Sequence, residues 1–195
     1  MAKADPETAK RDKMKNVKWV VTIFFVTILI SGTISLLSDV MMANSTMVVA
    51  FLILLVIILI GIVFDIVGMA VATADEKPFH AMAARKVPGA RESIRLLRNA
   101  ERVSSICNDV VGDICGVVSG SASATIAAQI LRNFDFSWPQ IISLAMSALA
   151  AGLTVGGKAV GKSIAVNSCV SIVHFVGRIL YTLNNFTGRS RKKKK

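Results

Sequence analysis

Asp65, Asp109, Asp113 and Lys158 are charged side chains placed inside, or at the ends of, segments that otherwise hold apolar and small residues. At the centre of a bilayer such a charge costs about 2.5–3.5 kcal/mol on insertion scales, so it faces a protein interior and serves an ion pathway or a pairing partner. Asp109 follows Asn108 and precedes Asp113 by four residues, a spacing that puts both carboxylates on one helical face. Magnesium takes hard oxygen donors and gives up its water reluctantly, so a polar helical face inside a bundle suits holding or passing it. The chemistry to which these residues point is cation handling. For the aspartates the alternative is placement at a helix end, where interfacial water still reaches them.

The elements that must position these residues are membrane helices. Of 195 residues, 53% are hydrophobic, far above a soluble domain of this length. Residues 19–38 and 40–64 carry no charge, and each run reaches the ~20 residues needed to cross a hydrocarbon core. Residues 114–131 and 140–157 are also uncharged but rich in Gly, Ser and Ala, a composition suited to helix-on-helix contact. The expected fold is therefore an all-α membrane protein with four transmembrane helices, at about 17–37, 46–71, 103–131 and 139–165, within a domain spanning 17–188. Two ridges of small residues, Gly112, Gly116 and Gly120 on span three and Gly152 with Gly156 on span four, allow close helix packing within one copy or between two; Gly157 with Gly161 continues the second.

The net charge of +11 does not imply nucleic acid, because of where the basic residues fall. They cluster before the first span, between the second and third, and at the end of the chain, whereas the other two connections hold only Arg132. Four crossings put every basic segment on one side, which the positive-inside rule makes cytoplasmic. Both termini are expected there, in a multi-pass protein of the cell membrane, with residues 1–16 and 189–195 as basic tails, the first disordered. Arg91, Arg95, Arg98 and Arg102 recur at helical spacing, which predicts a surface helix over about 79–102 facing either anionic lipid or solvent. A second interfacial helix is expected over about 167–186, from alternation of Asn167, Ser171, His174 and Arg178 with Val170, Val173 and Val176. Cys107, Cys115 and Cys169 lack metal spacing and read as reduced thiols. With no nucleophile–base pair, HExxH or phosphate loop, an enzyme is not expected, nor is a permanently bound cofactor.

Several segments resemble, in order and spacing, the transmembrane domain of the CorC/cyclin-M (CNNM) magnesium transporters. RNAERVSSICND (98–109) is similar to the family's ENPERFLSTILIGN pattern, and FDIVGMAVATAD (64–75) to its small-residue helix end. GKAVGKSIA (157–165) resembles the GEIxPKxIA signature, and ILYTLNNFTG (179–188) the amphipathic helix after it. The resemblance covers roughly residues 50–188 and leaves span one as an extra element. It implies a homodimer in which a cytoplasm-facing cavity takes magnesium, as transported ion, through a serine, an asparagine and a glutamate from successive spans. Asn108 matches that asparagine. Asp65 stands in place of the serine, Lys158 in place of the glutamate beside Gly157, and Gly161 in place of the signature proline, with Lys162 retained.

An ammonium at a metal position repels a divalent ion, strongly so in a low-dielectric cavity. Two readings follow from this. Either Lys158 pairs with an aspartate and fills the site, leaving a non-transporting scaffold or partner protein, or Asp65, Asn108, Asp109 and Asp113 rebuild a more acidic site while Lys158 snorkels to the interface. Divalent-cation transport or efflux is the leading expectation. The resemblance also ends before the family's nucleotide-sensing domains, which leaves room for a separately encoded cytosolic regulatory partner.

Overall fold

The structure, a computed structural model, describes residues 6–43, 45–133 and 138–192, with side chains over 19–42, 45–133 and 138–185. Every regular element among them is helical. The helices are α1 (Pro6–Ala43), α2 (Met47–Thr73), α3 (Lys77–Ala84), α4 (Ala90–Leu97), α5 (Ala100–Ser105), a π segment (Ile106–Gly112), α6 (Asp113–Asn133), α7 (Pro139–Asn167) and α8 (Cys169–Lys192). Four stretches are long and apolar enough to cross a membrane: Trp19–Met42, Met47–Thr73, Ala100–Asn133 and Pro139–Asn167. This is the architecture of a multi-pass membrane protein. Large side chains such as Phe24, Phe25, Leu29, Leu52, Leu144 and Val155 point outward on these helices, and water would not stabilise so wide an apolar surface.

Helix α2 is the axis of the bundle. It packs against α7, α6 and the π segment and, near its end, against α5 and α8, while α1 lies mainly on α6. One part of the core joins Met42, Ala50, Leu54, Ile58, Ala122, Ile126 and Met146. A second cluster joins the end of α2 to α3, α4, α7 and α8 through Val71, Phe79, Leu97, Ala165 and Val173. On the α1–α6 seam Gln129 donates to Met42 O at 2.8 Å, and Ser35 and Ser121 meet at 3.4 Å. Such polar contacts hold helices together where lipid supplies no hydrophobic drive.

Three expectations are corrected. The surface helix foreseen over 79–102 is divided: Pro88 and the left-handed residues Lys86 (φ 56) and Gly89 (φ 88) separate α3 from α4, and α4 ends at Leu97. Arg91 and Arg95 therefore sit on α4, Arg98 follows its end and Arg102 belongs to α5, so the four exposed arginines form no continuous stripe. The expected disorder of residues 1–16 gives way to helix from Pro6 onward, because α1 extends beyond its apolar stretch; residues 1–5 lie outside the described residues. In the tail, α8 continues to Lys192, and 193–195 again lie outside.

Candidate functional site

Three helices deliver the charged residues to one place. Asp65 lies on α2, Lys158 on α7, and the π segment running into α6 brings Asn108, Gly112 and Asp113. Lys158 Nζ is 3.8 Å from Asp65 Oδ1 and 3.9 Å from Asp113 Oδ1. It also donates to the carbonyl oxygen of Gly112 at 3.4 Å. All three distances exceed the roughly 2.7–2.9 Å of a tight charge-assisted hydrogen bond, so the ammonium is shared and not gripped. The exposures differ: the Asp65 side chain is 8% exposed, that of Lys158 21% and that of Asp113 73%.

Glycines make the approach possible. On α2, Gly61, Asp65 and Gly68 follow one another at i, i+4 and i+7, hence on one face. A β-carbon at Gly68 would collide with Asn108 Oδ1, and one at Gly61 would sit 2.8 Å from the Cys115 β-carbon. On the opposite helix, a β-carbon at Gly112 would lie 3.3 Å from Lys158 Nζ, close to where the amine meets the backbone. Gly157 and Gly161 seat α7 against Ile62 and Ile66 of α2, which fixes the height at which Lys158 enters.

Two acceptors in this seam are left unanswered. Asp65 Oδ2 and Asn108 Oδ1 are buried without a hydrogen-bond partner, although Asn108 Nδ2 donates to Ser104 Oγ at 3.2 Å. A buried polar oxygen with no partner is costly, and native sites that keep one hold it for a ligand, an ion or water. The donor set consists of two carboxylates, a carboxamide and a backbone carbonyl. Among the described residues no three His, Cys, Asp or Glu side chains gather as metal ligands. The arrangement suits a hard cation held briefly and with some of its water, and not a resident soft metal.

Asp109 does not join its expected partners. It is exposed and lines a separate cavity of about 400 Å³ with Trp19, Val20, Ile23, Glu101 and Ser105. The third long helix packs on α1 as well as on α7, and Asp109 is drawn to the α1 flank whereas Asp113 reaches Lys158. The Arg102 guanidinium lies 5.3 Å from the centre of the Trp19 ring near that cavity. Lys162 is exposed. Gly116, Gly120, Gly152 and Gly156 have open space where a β-carbon would stand, so they are not the packing glycines of a single copy. That part is taken by Gly61, Gly68, Gly112, Gly157 and Gly161, of which the first two went unread in the sequence. The three cysteines are free thiols. The chain matches no protein-family model, no curated protein and no solved structure.

Proposed function

We propose that this chain transports a divalent cation, with magnesium as the expected cargo, in the manner of the CorC/cyclin-M proteins that its sequence resembles. The observation that carries the reading is the pair of unpartnered buried oxygens, Asp65 Oδ2 and Asn108 Oδ1, beside a loosely shared ammonium within the membrane-spanning bundle. Two carboxylates and one ammonium give the cluster a formal charge of −1, so it still attracts a cation. A carrier site must bind well enough to admit its ion and weakly enough to release it. Donors that are few and partly neutral meet that requirement.

The basic connections support a location in the cell membrane with both termini cytoplasmic. On this reading α3, α4 and α8 lie at the cytoplasmic surface as amphipathic elements, and Arg91, Arg95, Arg98 and Arg102 meet anionic lipid headgroups. The open glycines of α6 and α7 are the surface on which a second copy would pack. The second reading, a non-transporting membrane scaffold or partner protein, is favoured by one specific feature: Lys158 already reaches both Asp65 and Asp113. Expression in cells sensitive to high external magnesium separates the two. Transport with export predicts a lower internal magnesium content and better growth, and an unchanged content would favour the scaffold.

A further inference from the structure

We infer that Lys158 is a tethered counter-cation: its ammonium holds the place of the transported ion, and the ion binds by displacing it from Asp65 toward Asp113. This rests on the cation-transport reading and specifies how the same site is filled when no ion is there.

The geometry supplies each part of the exchange. Asp65 is 6% exposed, and a carboxylate held so far from water is costly unless a cation or donor stands beside it. Lys158 is the basic side chain in contact with it, yet it sits at 3.8 Å on one carboxylate oxygen and leaves the other unanswered. An incoming cation would find Asp65 Oδ2, and Asn108 Oδ1 one helical turn further along the seam. The released amine has somewhere to go. It already stands 3.9 Å from Asp113, whose side chain is 73% exposed and can follow it outward. Gly112 keeps the path clear, since a β-carbon there would stand 3.3 Å from Nζ. A four-carbon stem with free rotation makes a lysine suited to this task, where the planar fork of an arginine would not retract as readily. Asp65 exchanges an ammonium for a divalent ion while Asp113 keeps the lysine, so the formal charge of the cluster goes from −1 to +1 with Mg²⁺ bound, which favours release as well as entry.

The inference makes predictions of opposite sign for two neighbours in one cluster. In Lys158→Met the tethered competitor is gone, so Mg²⁺ titrated into the purified full-length protein should raise its melting temperature at about tenfold lower concentration than in wild type, or less. In Asp113→Asn the lysine loses its fallback partner and holds Asp65 harder, so the Mg²⁺ midpoint should move about tenfold or more the other way. Lys158→Arg keeps the charge and should stay near the wild-type midpoint or above it. Loss of packing alone would weaken binding in all three. A Lys158→Met protein that is folded and needs as much Mg²⁺ as wild type, or more, overturns the inference. If that variant does not fold, Asp113→Asn decides: an unchanged or lowered midpoint there overturns it equally. A wild-type protein that carries Mg²⁺ with midpoints unmoved by these changes rejects the counter-cation and leaves the transport reading standing. Mg²⁺ binding by Lys158→Met with none by wild type supports the lysine as occupant and rejects transport.

Discussion

The Lys158 ammonium touches three oxygens and is gripped by none of them. Two unit charges about 4 Å apart attract by ~4 kcal/mol at an effective dielectric near 20, and the effective cost of desolvating each buried ion is several kcal/mol. The Asp65–Lys158 pair therefore does little for net stability, but neither partner can be removed alone without harm. Lys158→Met is expected to lower stability by roughly 3 kcal/mol or more in the absence of added cation, because it leaves Asp65 charged and buried. The double change Asp65→Leu with Lys158→Met should recover most of that loss, a result that a double-mutant cycle on thermal or denaturant unfolding reads directly. Asp113 is exposed, and its Asn variant should change stability by about 1 kcal/mol or less. That Lys158 needs a carboxylate partner was legible in the sequence, because a charge in an apolar run must be answered. Which aspartate answers it was not. Spacing shows that Asp109 and Asp113 share a face, but only the packing of α1 and α7 on different flanks separates them.

At the scale of the elements, glycine decides how near the helices come. A β-carbon at Gly161 would lie 2.8 Å from Ile66 Cγ1, and one at Gly177 would fall on Ser93 Oγ and 2.6 Å from Gly89 O. Gly161→Leu and Gly177→Ala are each expected to destabilise the fold by about 1–3 kcal/mol or more, measured as a drop in melting temperature, since overpacking forces backbone shifts. Gly116 has open space around it in one copy. Gly116→Leu should therefore leave the protomer folded and shift detergent crosslinking from dimer to monomer; an unchanged dimer fraction would reject that face as the interface. The four long helices could be read from the length of the apolar runs, and the proline start of α7 agrees with that reading. The arginine periodicity begins only at Arg91, past the internal break between α3 and α4, and so gave no sign of that break. Its signals were Pro88 and Gly89, and Gly89 takes the left-handed conformation that lets α4 turn against α8. The π segment left no periodic signature at all.

For the molecule as a whole, the apolar faces of α1, α2 and α7 require a lipid surround, and the proposed orientation within it rests on the distribution of basic residues. A cysteine introduced at Ser190 should resist a membrane-impermeant thiol reagent applied from outside intact cells and react after permeabilisation; labelling from outside would reverse the proposed topology. The central claim is that the cluster on α2, α7 and the π segment passes a cation. Its most direct test is Mg²⁺ flux in liposomes reconstituted with the full chain and loaded with a Mg²⁺-sensitive dye. Wild-type protein should carry Mg²⁺ down an imposed gradient well above protein-free liposomes, and Asp65→Asn, if folded and inserted to the same extent, should lose at least nine-tenths of that rate. Wild-type flux no greater than that of empty liposomes, or equal flux from Asp65→Asn, would contradict the account.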